Sequence, residues 1–217
     1  MVSAPLPVGS SLPPTPEMDT DAVRASQHIY RRLLDAMSHP GYVWSIVRHP
    51  LLQDDIGPGT DWLASIAMTL VDHEVSMHIV DSPAFTNLHD VIVRRTRVEI
   101  APISEADFIL AEINNFDADL IGKMKIGTLD YPNDAATLIL QIESLSSNDG
   151  PSMTLSGPGV NGSFSRPLGD LTVGVIATRN QATSGYPLGI DAIIVDRHGQ
   201  IMAFPRTTRI SISDRGQ

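Results

Sequence analysis

Two apolar periods take turns along this chain, and the alternation restricts its fold more than any single residue does. Val23, Gln27, Tyr30, Leu33, Leu34 and Met37 recur at helical spacing, and Asp19 or Thr20 stands where a cap belongs. Pro40-Gly41 ends that stretch, and residues 42–48 then alternate as a strand does. A turn-rich piece, 53–60, leads to a second helical stretch over 62–71 with Asp61 as its cap. Residues 76–80 read as a short strand, and Pro83 opens a third helix toward Arg95 with Phe85, Leu88 and Ile92 on one side. Residues 108–112 and 137–142 are strands, with a short helix over 117–121 between them. Strands alternating with helices in this way predict layered α/β architecture.

The last third reads differently. Residues 153–155 form a strand, and 169–178 is ambiguous between helix and strand. Residues 190–195 and 201–204 flank His198-Gly199, a hairpin signal, and 207–212 is a last strand. An α/β start with a hairpin-like end predicts a three-layer fold: a mixed sheet flanked by helices. Residues 1–18 hold five prolines and no periodicity, so they read as a flexible tail before a single domain over 19–217. That tail has neither the basic nor the apolar region of a secretory signal, and no apolar run reaches a membrane span. The expectation is a cytoplasmic protein without membrane contact.

Charge and cysteine usage narrow the chemistry. Acidic residues outnumber basic ones by 25 to 15, for a formal charge of −10, which argues against general nucleic-acid binding. There is no cysteine, which removes disulfides, thiolate nucleophiles, Cys-ligated zinc and Cys-held iron–sulfur clusters. The basic residues are nearly all arginine; Lys123 and Lys125 are the only lysines. There is no G-x-S-x-G elbow and no P-loop.

Three segments carry polar groups in suggestive patterns. Gly157-Pro158-Gly159-Val160-Asn161-Gly162 is a literal G-x-G-x-x-G after a strand. Pro167 interrupts any helix that would follow, and Asp170 comes too early for a ribose-binding acid. A glycine-rich turn between sheet elements is the better account. Asp72, His73 and Glu74 group three titratable side chains at a helix end. Consecutive residues diverge by about 100°, so a metal site is not expected there and local hydrogen bonds are. Arg206-Thr207-Thr208-Arg209 lies on an extended piece. With period 2, Arg206 and Thr208 share one face, and Thr207 and Arg209 the other. Either such a face offers a guanidinium and a hydroxyl to an anion, or the segment is an edge strand protected by charge and proline.

Six segments together resemble one family. Residues 30–41, YRRLLDAMSHPG, resemble its opening F-R-x-L-(L/M)-x-A-M-x-x-P-G, and Leu70–Glu74 resembles L-L-D-H-E. Residues 127–138, GTLDYPNDAATL, are similar to G-T-x-E-Y-P-D-x-S-A-T-L. Residues 155–160 resemble L-x-G-P-G-I, 186–191 resemble F-P-L-G-V-D, and 204–210 resemble L-P-R-T-T-R-I. The family is PhnH, a subunit of the bacterial carbon–phosphorus lyase system. The resemblance implies a fold like the large domain of PLP-dependent transferases, without PLP and with no other cofactor. It implies a homodimer that joins PhnG, PhnI and PhnJ in a core complex, which attaches phosphonate to the ribose of ATP. It carries over no catalytic residue. Asp130 stands for the family's Glu and Asn133 for its Asp.

Overall fold

A computed structural model describes residues 20–52, 56–57, 59–148 and 150–213. The expected tail, and Asp19 as a cap, lie outside those residues. The elements are α1 (Thr20–Ser38), β1 (Trp44–Ser45), α2 (Asp61–Leu70), β2 (Ser76–Ile79), α3 (Leu88–Thr96), β3 (Glu99–Ile100) and β4 (Phe108–Glu112). They continue with β5 (Thr137–Ile142), β6 (Ser152–Ser156), β7 (Phe164–Pro167), α4 (Val173–Ala182), β8 (Asp191–Asp196), β9 (Gln200–Phe204) and β10 (Arg209–Ser213).

Seven strands form a mixed sheet in the order β1-β9-β8-β5-β4-β2-β3. The neighbours from β8 to β3 run parallel; β9 pairs antiparallel with both β8 and β1. The central strands are apolar on both faces, and their alternation separates two cores. Leu138, Leu140, Ala192, Ile194, Met202 and Phe204 enter one core. Ile139, Ile193, Val195, Ile201 and Ala203 enter the other, beneath α1, α2 and α3. A fully buried Leu or Ile contributes about 2 kcal/mol, so each strand is fixed from both sides.

The third layer departs from expectation. It is not made of helices alone: α4 shares it with a separate three-stranded antiparallel sheet, β10-β6-β7. The ambiguous stretch 169–178 resolves as the approach to α4 and its first turns. Thr172 caps α4, its side chain accepting from Val175 N.

Other expected elements are shorter or shifted. Only Trp44 and Ser45 of 42–48 pair with β9, because the hairpin turns away just before Gln200. Ile46 N–H still reaches Gly199 O at 2.9 Å. Thr60, not Asp61, occupies the cap position of α2, while Asp61 in the first turn pairs with Arg48 at 2.8 Å. The third helix is broken: Pro83–Phe85 is a 3-10 turn, Asn87 is left-handed, and only then does α3 begin. The 117–121 helix is a 3-10 stretch, Ala118–Lys123, capped by Asp117. The last strand begins at Arg209, because Thr208 N–H bonds back to Pro205 O at 2.8 Å and closes a turn.

Candidate functional site

That turn overrides the period-2 reading of 206–209, since Arg206, Thr207 and Thr208 are not strand residues and do not alternate between faces. The turn lies at the amino end of β8, and three arginines surround it. Arg206 is tied sideways: its backbone N–H donates to Asp191 Oδ1 at 2.7 Å, and its Nη2 to Asp191 Oδ2 at 2.6 Å. Its Nη1 donates to Pro132 O. Arg179 supports the turn from below. It is 2% exposed, its Nη1 donates to Thr208 O at 2.6 Å, and its Nη2 donates to the carbonyls of Phe204 and Pro205. Burial lowers its pKa to about 10 although the Asp191 charge opposes the shift, so it stays protonated at neutral pH. Asn180 Nδ2 donates to Ile210 O at 2.6 Å, which ties the next strand to the same helix.

Arg209 differs from these. Its side chain is exposed and makes no hydrogen bond or ion pair among the described residues. It lines a cleft of about 530 Å³ with Arg206, Thr207 and Thr208 on one wall. Asn180, Thr183 and Ser184, around the end of α4, form the other wall, with Tyr186 and Pro158 beside them. Thr208 is 1% exposed, and its Oγ1 has no hydrogen-bond partner. A second cleft of about 370 Å³ shares Tyr186, Arg206 and Thr207.

The glycine-rich segment now has a physical reason. No helix follows it; it is the turn between β6 and β7. A Cβ on Gly159 would stand 2.2 Å from Ser38 O, and one on Gly157 would stand 2.8 Å from Thr207 O. Both glycines have positive φ. The backbone comes this close because the turn sits between the end of α1 and the Pro205–Thr208 turn. Five of the six segments noted in the sequence thus meet at one corner: 30–41 through Ser38, 155–160 through the two glycines, and 127–138, 186–191 and 204–210 through Arg206. A model of the family described as bacterial phosphonate metabolism protein (PhnH) matches residues 18–211.

The chain belongs to the PhnH family. A relative from Stutzerimonas stutzeri, named as the C-P lyase subunit protein HtxG, is 27% identical over 186 residues, 86% of each chain. A second, from Rhizobium meliloti (strain 1021), is named alpha-D-ribose 1-methylphosphonate 5-triphosphate synthase subunit PhnH. It is 25% identical over 198 residues, covering 88% of this chain and 92% of its own.

The remaining family segment lies apart from the corner. Asp72, His73 and Glu74 follow α2 on the opposite face of the sheet and are exposed. Asp72 Oδ1 accepts from Glu74 N–H at 2.8 Å in a local turn. Among the described residues, no three His or carboxylate side chains converge as metal ligands. Lys123 is exposed at the end of its 3-10 stretch, and Lys125 pairs with Asp107. Burial raises the Asp107 pKa, but hydrogen bonds from Lys125 and from the backbone and side chain of Ser76, with the Lys125 charge, lower it further, to a net value below the ordinary one. Neither lysine is a free buried amine of the kind a Schiff base needs.

Polar residues also gather at the carboxyl ends of the parallel strands. Ser82, after β2, donates to Glu112 Oε2 at 2.5 Å. Arg197 bridges Glu112 at 2.6 Å and Glu143 at 2.8 Å. Sequence reasoning left Arg179, Asn180 and the Glu112 group out. Asp191 stood within a quoted segment but without a role. Nothing local marked Arg179, which the sequence places beside Asn180 and Gln181 at the polar end of its helix.

Proposed function

We propose that this chain is a subunit of a carbon–phosphorus lyase core complex in phosphonate catabolism, and that it acts by assembly rather than by turnover of its own. The observation that carries the reading is the family match over residues 18–211. Through its PhnG-, PhnI- and PhnJ-like partners, the complex would transfer phosphonate onto the ribose of ATP, the product named for the Rhizobium meliloti relative. The chain would enter as a homodimer, in the cytoplasm, with a PLP-transferase-like fold that holds no PLP. The committed state of Lys125 supports the last point. Two exposed apolar groups suit a subunit that docks with others: Tyr30, Leu34, Tyr42 and Val43 around α1 and β1, and Leu129, Tyr131 and Tyr186 in the loops by the cleft. In addition, no described helix is long and apolar enough to cross a membrane.

The test is phosphonate-dependent consumption of ATP by a reconstituted four-subunit mixture with and without this chain. Activity is expected to need the chain. Within the mixture, Arg206→Ala is expected to lower activity more than Arg97→Ala, which alters a left-handed helix end outside the corner. Full activity without the chain would overturn the assembly reading; turnover by the chain alone would replace it with an enzymatic one.

A further inference from the structure

We infer that the larger cleft is a binding site for a tetrahedral phosphorus oxyanion, a phosphonate or a phosphate ester, with Arg209 as the group that grips it. The reading concerns the isolated chain and does not depend on the assembly role.

Three observations carry it. The first is charge. Around the turn, three guanidiniums (Arg179, Arg206 and Arg209) gather, and Asp191 is the carboxylate that Arg206 binds, on a molecule whose formal charge is −10. Low-dielectric cleft walls focus such a local excess toward a small anion.

The second is the division of labour among those arginines. The terminal nitrogens of Arg179 are spent on backbone carbonyls, and those of Arg206 on Pro132 O and Asp191, while Arg179 Nε is buried without a partner. They fix the turn from two sides and leave Arg209 with its full fork of N–H donors toward the cleft. A planar fork of that kind matches the oxygens of a phosphonate or phosphate group. A rigid wall also lowers the ordering cost of binding.

The third is the orphaned hydroxyl. Thr208 Oγ1 is buried in the cleft wall without a partner, and a buried hydroxyl left unpaired is costly. An oxyanion seated at Arg209 would accept from it. Two of the cleft's other hydroxyls are already committed: Ser184 donates to Gln181 O at 2.8 Å, and Thr183 to Arg179 O at 3.1 Å. Tyr186, 74% exposed on the rim, offers a ring face beside the same cleft. If the oxyanion belongs to a nucleotide, that ring is where a base would stack.

The experiment is calorimetric titration of the full chain with methylphosphonate, inorganic phosphate and ATP in separate arms. Saturable binding is expected in at least one arm. Methylphosphonate binding as tight as that of ATP assigns a free phosphonate; binding by ATP alone assigns a nucleotide phosphate. Arg209→Ala, an exposed change, should weaken binding about tenfold or more, the size of one charge-assisted contact. Thr208→Val keeps the shape and should weaken it severalfold. Arg24→Ala, an exposed arginine on α1, should leave it unchanged. Absence of saturable binding in all three arms overturns the site, as does equal weakening by Arg24→Ala and Arg209→Ala.

Discussion

The two ends of the parallel strands use the same residue types to opposite effect. In open sheets of this class, ligands usually sit at the carboxyl ends, where the strand order reverses. Here that reversal falls between β2 and β4, and the Ser82–Glu112 hydrogen bond spans it. Arg197 then joins Glu112 to Glu143, so the polar side chains at that end bind one another. Asp196 is spent on the backbone of the hairpin, accepting from His198 N–H and Gln200 N–H at 2.9 Å each. At the amino ends, Asp191 and Arg179 anchor a turn that leaves the Arg209 guanidinium and the buried Thr208 hydroxyl uncommitted. A dense set of charged residues therefore does not mark a site by itself. What marks one is a rigid frame with donors left over.

The largest effect that would sharpen this contrast is expected from Arg179→Met. It leaves the carbonyls of Thr208, Pro205 and Phe204 without their buried donor. We expect a loss of about 4 kcal/mol by denaturant unfolding, with the oxyanion affinity lost alongside. A variant as stable as the parent would show that the turn is held by something else.

Gly159→Ala comes next. The new methyl group meets Ser38 O, and the positive φ strains it further. A loss of about 3 kcal/mol is expected, since the nearest atom the methyl meets is backbone and cannot rotate away. A change within error would mean that the end of α1 yields easily.

Glu112→Gln tests the other end. Glu112 is buried and loses its ion pair with Arg197, while Glu143 remains as a partner. We expect about 2 kcal/mol of destabilisation and no change in oxyanion binding. Weakened binding would break the comparison, because it would tie the two ends together.

A smaller effect concerns acid. The Asp107 carboxyl is held below its ordinary value of 3.8, chiefly by Lys125 and Ser76 working against burial. A depressed carboxyl stabilises the fold fully above its unfolded pKa and loses that contribution as pH falls through the folded one. Acid unfolding followed by circular dichroism should thus be shallower below about pH 4 in Asp107→Asn than in the parent. Identical curves would remove the role assigned to this pair. The smallest effect is expected from deleting residues 1–18, which should leave the melting temperature unchanged within error; a drop of many degrees would show that the segment packs.

Local chemistry already determined much of this. Continuous apolar strands at 108–112 and 137–142 have both faces buried, and a run of that kind is legible because period and burial agree along the chain. The hairpin at His198-Gly199 and the non-helical character of the G-x-G-x-x-G turn follow from turn residues and from Pro167 in the same way. The six quoted segments were enough to indicate the family, because their order along the chain is itself information. Tertiary structure decided where those segments meet and which arginine is left over. Arg206 and Arg209 are both candidate anion ligands in sequence, three residues apart in one extended piece. They differ because Asp191, fifteen residues upstream, takes one guanidinium and not the other. The small second sheet escaped prediction for the same reason: β10 pairs with β6 more than fifty residues away, and no local period encodes a partner at that distance.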